Sequence, residues 1–129
     1  MWVRLYLVAI GLMFVAFGTW AMLDPAGMTS GLGVTVSGPN GLYEMRGIYG
    51  GVSLGAGILG LLGALREAYR RPALLFLVVY FGGYMAARAL ALALGPAPTP
   101  VFAGFIAFEA AGLIGALIAL RAEARRTLR

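Results

Sequence analysis

Four charged side chains sit within or at the edge of apolar sequence: Glu44, Arg46, Arg88 and Glu109. A lone arginine at mid-membrane costs about 2.5–3.5 kcal/mol on insertion scales, so charge kept there has a partner or a task. Arg88 precedes Leu94, the end of its apolar stretch, by about 9 Å, and Glu109 follows Val101 by about 12 Å, at the helical rise per residue. Glu44 and Arg46 open another stretch on the same side. Opposite charges at matched depth predict an Arg88–Glu109 pair, with the two-pronged geometry that arginine and carboxylate favour. Glu44 and Arg46 are two positions apart, so on a regular helix they point in nearly opposite directions. At least one of them must look to another helix or to the headgroups.

Such a set has three uses. It fixes helix register, as buried polar pairs do in some proteins. It lines a polar pocket that opens outward and holds an anionic headgroup, a quinone-like carbonyl or a small solute. Or Glu109 relays protons. Tyr49 and Tyr84 stand at the same level, and Tyr84 is one helical turn from Arg88. The candidate ligand-binding residues are therefore Glu44, Arg46, Tyr49, Tyr84, Arg88 and Glu109. The other rings nearby, Tyr43, Tyr80, Phe102, Phe105 and Phe108, read as an interfacial belt with lipid contact.

The missing residue types narrow the chemistry. With no histidine and no cysteine, the usual zinc, copper and haem ligands are lacking, and no disulfide, Ser-His-Asp or Cys-His pair can form. All ten basic residues are arginine, which removes Schiff-base chemistry and the lysine of a phosphate-binding loop. No catalytic residue, metal or obligatory cofactor is expected. An enzyme acting on lipid would have to work with glutamate and tyrosine alone.

The elements that must carry these residues are membrane spans. Of 129 residues, 61% are hydrophobic and 12% charged, with mean hydropathy +0.90. A water-soluble domain carries about 25% charge, so a soluble fold is excluded. Four apolar stretches, near 5–23, 43–65, 73–94 and 101–120, each match the length of about 20 residues that a helix needs to cross hydrocarbon. Backbone in lipid must satisfy itself, so each should be helical. The fold class is all-α, one domain over 1–129, a four-helix transmembrane bundle. The first stretch is longer than a signal-peptide core and is expected to be retained.

The connections follow from turn chemistry. Asp24-Pro25 ends the first helix, and Asp24 could cap a short interfacial turn. Residues 26–41 hold five glycines and read as a loop, with Asn40 as cap of the second helix. Arg66 to Pro72 reads as a short basic linker, and Thr99-Pro100 as cap and first residue of the fourth helix. Small residues repeat every four positions at Gly47, Gly51 and Gly55, at Ala56, Gly60 and Ala64, and from Ala103 to Ala119. Such faces permit close helix packing.

Orientation follows from arginine. Arg4, Arg66, Arg70, Arg71, Arg121, Arg125, Arg126 and Arg129 lie at one side, eight of the ten. The positive-inside rule then places both termini in the cytoplasm. It also accounts for the basic charge without nucleic acid, which is not an expected partner.

The block Glu44-x-Arg46-x-x-Tyr49-Gly50-Gly51 resembles a bacterial four-helix membrane family labelled domain of unknown function 4345. Asn40 to Tyr43, Leu54 to Gly57, Leu23 to Gly27, Arg88 and Glu109 share in the likeness. The family is similar to the wider DoxX-like group. The resemblance covers nearly the whole chain and implies an integral protein of the bacterial inner membrane. Some DoxX-like relatives are associated with quinone-linked oxidoreductase complexes, which implies an accessory role. The expectation is a non-enzymatic scaffold or accessory subunit, in contact with membrane lipids, as a homodimer or within a larger membrane complex. Its polar pocket would take a lipid, quinone or small solute. The alternative is a small dimeric transporter or channel built on the intramembrane Glu/Arg site.

Overall fold

A computed structural model describes residues 1–127, so Arg129 of the basic tail lies outside the described residues. Among the described residues six α-helices follow in order: α1 (Trp2–Leu23), α2 (Pro25–Gly31), α3 (Gly38–Met45), α4 (Val52–Leu65), α5 (Glu67–Leu94) and α6 (Phe102–Thr127). No strand occurs among the described residues. A π-helical turn over Arg46–Gly51 joins α3 to α4, so 38–65 runs as one span. Four helices are thus long and apolar enough to cross a membrane: Trp2–Leu23, Gly38–Leu65, Glu67–Leu94 and Phe102–Arg126. Their outward faces stay apolar, with Leu5, Leu12, Val79, Ile114 and Ile118 all exposed, as a bundle solvated by lipid requires.

α4 packs between α1 and α5, and α6 packs on α5. The α1–α4 seam is backbone on backbone. A Cβ on Gly57 would stand 2.8 Å from the Gly11 carbonyl oxygen and 2.9 Å from the Val15 nitrogen. A Cβ on Gly60 would stand 3.2 Å from Gly11 Cα. Glycine is required there because the helices touch, which is the small-residue packing that lipid-solvated helices use. The Ala56, Gly60 and Ala64 face is buried as its spacing suggests. The Gly47, Gly51 and Gly55 face is exposed instead, and Ala103, Ala107 and Ala111 are exposed too. α6 buries a different stripe: Glu109, Gly112, Ala116, Ala119 and Glu123.

That stripe alternates steps of three and four, the spacing of a coiled-coil seam. α5 answers with Arg70, Leu74, Leu77, Phe81, Tyr84 and Arg88 at the same spacing. Leu74, Leu77 and Phe81 are almost wholly buried and form the core with Leu7 and Phe14 of α1. The ring of helices closes where the Tyr6 hydroxyl of α1 donates to the Gly112 carbonyl of α6 at 2.7 Å.

The connections differ from their sequence reading in four places. The glycine-rich stretch 26–41 is not a plain loop. Asp24 accepts from the Gly27 N–H at 2.9 Å, Pro25 sits at the first helical position, and α2 forms. α3 then starts at Gly38, after Ser37 and with Pro39 in its first turn, so Asn40 lies inside the helix and caps nothing. Arg66 alone breaks the chain between α4 and α5, and Pro72 sits inside α5. Near the helix start proline removes a single internal bond, the one to the Ala68 carbonyl, so the helix continues through it. Last, Pro100 lies in a turn before α6, where the Thr99 carbonyl accepts from Phe102 N–H at 3.0 Å.

Candidate functional site

A cavity of about 470 Å³ opens between the spans at the end of the bundle that holds Arg88 and Glu109. α1 supplies Met13, Phe14 and Phe17, and α6 supplies Phe102, Phe105 and Phe108. The segment after α2 lays Leu32 and Val34 over it. α2 is pinned by Met28, which is fully buried beside Ala21, and by its own Asp24 cap. The size and apolar lining are those of a small-molecule site.

The rings of the cavity are packed against one another. Phe14 meets Tyr80 edge-on at 5.3 Å between centroids, and Phe81 meets Phe108 the same way at 5.8 Å. Phe17 meets Tyr49 at 6.2 Å, also edge-on. Offset and edge-on geometries of this kind stabilise aromatic clusters beyond their area. The walls are therefore held in place before any ligand arrives.

One side of the cavity is polar: Tyr49, Ser53, Tyr80, Tyr84, Arg88 and Glu109. Arg88 donates from Nε to one carboxylate oxygen of Glu109 and from Nη2 to the other, a two-pronged ion pair between α5 and α6. The side chains are 25% and 11% exposed. The guanidinium also lies 5.7 Å from the Tyr84 ring and 5.4 Å from the Phe102 ring. Contacts of this type attract a cation to a π face. Arg88 is thus fixed on three sides, and its Nη1 makes no hydrogen bond among the described residues. A positioned donor at the rim of an apolar cavity suits a carbonyl or an anionic oxygen.

The structure separates the six sequence candidates. Tyr49, Tyr84, Arg88 and Glu109 line one cavity. Glu44 and Arg46 do not: both are exposed, and Glu44 is outside the cavity lining. Arg46 instead donates from Nε to the Met22 carbonyl at 3.0 Å. That carbonyl is among the last of α1, which lacks an onward partner, so Arg46 caps α1. The π turn decides this split. The Val52 N–H reaches back five residues to the Gly47 carbonyl. The extra residue rephases the span. Gly50 is buried against Met22, Tyr49 is half-buried at the cavity, and Arg46 is left outside. π turns are common at functional sites, and three glycines in Arg46–Gly51 make the wider turn easy here.

Sequence reasoning missed a second ion pair. Arg70 Nη1 donates to Glu123 Oε1 at 2.9 Å, and Arg70 is 2% exposed. Arg70 read as part of a basic linker, and Glu123 as part of a basic tail. The signal lay in the spacing: both fall on the stripes that carry Arg88 and Glu109. Among the described residues no group of three or more metal-ligating side chains is assembled.

Four apolar spans around an intramembrane ion pair define a polytopic helical membrane protein. The family model described as domain of unknown function (DUF4345) matches residues 2–120. The chain belongs to that family. No curated protein and no solved structure matches it.

Proposed function

We propose that the protein binds an amphipathic small molecule, a membrane lipid or a quinone, through a carbonyl or anionic head, and serves as a scaffold or accessory subunit in the bacterial inner membrane. The single observation that carries this reading is the Arg88–Glu109 pair at the polar rim of an aromatic cavity of about 470 Å³. The head accepts from Arg88, Glu109 holds Arg88 in place, and the apolar body lies among Phe14, Phe17, Phe102 and Phe105. Both termini are cytoplasmic in this reading, on the strength of the arginine bias.

Tryptophan fluorescence tests it. Trp20 meets Phe17 edge-on at 6.4 Å, and Phe17 lines the cavity, so a bound quinone should quench it. Purified protein in detergent is titrated with a short-chain quinone. Saturable quenching that Arg88→Leu weakens about tenfold supports the reading, since a lost hydrogen bond to a charged group has that size. Quenching that never saturates, equal in both proteins, contradicts quinone binding. Competition by an anionic lipid for the same saturable site would identify the lipid instead.

A further inference from the structure

At the opposite end of the bundle, where α1 begins, α5 begins and α6 ends, a second cavity of about 400 Å³ is lined by Arg4, Glu67, Arg70 and Arg126. Arg70 reaches it from inside the packing. Its Nη1 is bonded to Glu123, while Nε and Nη2 are buried with no hydrogen-bond partner among the described residues. Buried donors without acceptors are rare in folded proteins, and an unsatisfied fork on a guanidinium asks for an oxygen ligand.

The surroundings favour an anion. Glu123 is taken by Arg70 at 2.9 Å and lies 3.9 Å from Arg126. Glu67 is 80% exposed and only 3.4 Å from Arg70 at its nearest, a weak contact. Arg4 and Arg126 are exposed and flank the opening. The three arginines outnumber the two glutamates, and two of the three, Arg4 and Arg126, have exposed side chains that can close on a ligand. A third cavity, of about 340 Å³, shares Arg126 and adds Arg125, Trp2, Val3 and Ala122. Cation and apolar shelf thus adjoin, with a tryptophan at the level where such rings sit in membranes.

We infer that this end of the bundle is a phosphate-binding site, in which Arg4 and Arg126 take the phosphate at the opening and the buried Arg70 behind them turns its idle Nε and Nη2 toward it. Arginine forks match phosphate geometry, two bonds at a time. The phosphate belongs to an anionic lipid headgroup, whose acyl roots would run along Trp2, Val3 and Ala122, or to a free phosphate ion. This site is separate from the Arg88 cavity and stands whatever that cavity binds.

The test reconstitutes the protein in phosphatidylcholine nanodiscs with a minor share of phosphatidylglycerol. Native mass spectrometry then counts the lipids retained. Wild type should keep phosphatidylglycerol above its bulk share. Arg4→Gln/Arg126→Gln should lose that enrichment about tenfold, since each interfacial arginine contributes to anionic-lipid binding. Enrichment lost in Arg88→Leu but kept by the double variant would place the lipid in the other cavity and overturn the inference. Both changed side chains are exposed, so the double variant should melt with wild type in phosphatidylcholine alone. A second arm titrates inorganic phosphate in phosphatidylcholine nanodiscs at fixed ionic strength. A saturable rise in melting temperature, absent from the double variant, assigns the site to free phosphate. No enrichment and no rise would overturn the inference. So would enrichment that the double variant leaves intact.

Discussion

Arg88 on α5 and Glu109 on α6 join through two parallel hydrogen bonds at one end of a heptad seam whose other end is closed by Arg70 and Glu123. From residue 70 to residue 88 is about 27 Å along α5, close to the thickness of the hydrocarbon core. The two pairs therefore lie in opposite halves of the bundle, and the leucines and phenylalanine of the seam lie between. An antiparallel pair of helices pinned at both ends cannot slide by a turn without separating both pairs. Register and the geometry of the Arg88 cavity are consequently one structural fact.

The Arg88–Glu109 pair should behave as a coupled unit. Arg88→Leu or Glu109→Leu leaves a largely buried charge without its counter-ion and should cost about 2 kcal/mol, discounted for the 25% exposure of Arg88. The double change should cost less than the sum. Melting in detergent across the four-member cycle measures this, and additive losses would mean that the side chains do not interact.

The Arg70–Glu123 pair is more deeply buried and should be the more sensitive. Glu123→Leu strands Arg70, which is 2% exposed, and should cost about 3 kcal/mol. Arg70→Leu combined with Glu123→Leu should recover much of that loss. Urea or thermal unfolding of the single and double variants reads the difference.

Glycines of similar spacing should differ sharply. Gly57→Ala drives a Cβ against the Gly11 carbonyl and Val15 nitrogen, neither of which yields easily. A loss of about 1–3 kcal/mol is expected. Gly47→Ala and Gly55→Ala both meet open space; Gly55→Ala, in regular α4, should raise stability by up to about 1 kcal/mol through helix propensity, and Gly47→Ala, in the π turn, should be near neutral. Melting temperatures of the three variants decide it.

What was legible in the sequence had a one-dimensional signature. The spans follow from apolar length, and the Arg88–Glu109 pair from charge at matched depth. Less legible features depended on helix phase. A regular helix through Glu44 and Arg46 gives no warning of the π turn that leaves Arg46 bonded to Met22 and Tyr49 beside the cavity. Gly47, Gly51 and Gly55 have a packing spacing yet face outward, because phase, set by partners, chooses between two glycine faces. Arg70 was hidden by Pro72, which looks like a helix boundary and instead lies within α5. α2 was half visible: Asp24-Pro25 announces a start, but the glycines after it conceal a helix.

The most direct measurement is native mass spectrometry of the protein released gently from its own membranes, with Arg88→Leu and Glu44→Gln alongside. Ligand binding at the Arg88 cavity predicts a reproducible small adduct on wild type, kept by Glu44→Gln, whose side chain is outside the cavity lining, and lost by Arg88→Leu. Wild type without any adduct, or with none that Arg88→Leu loses, would contradict it.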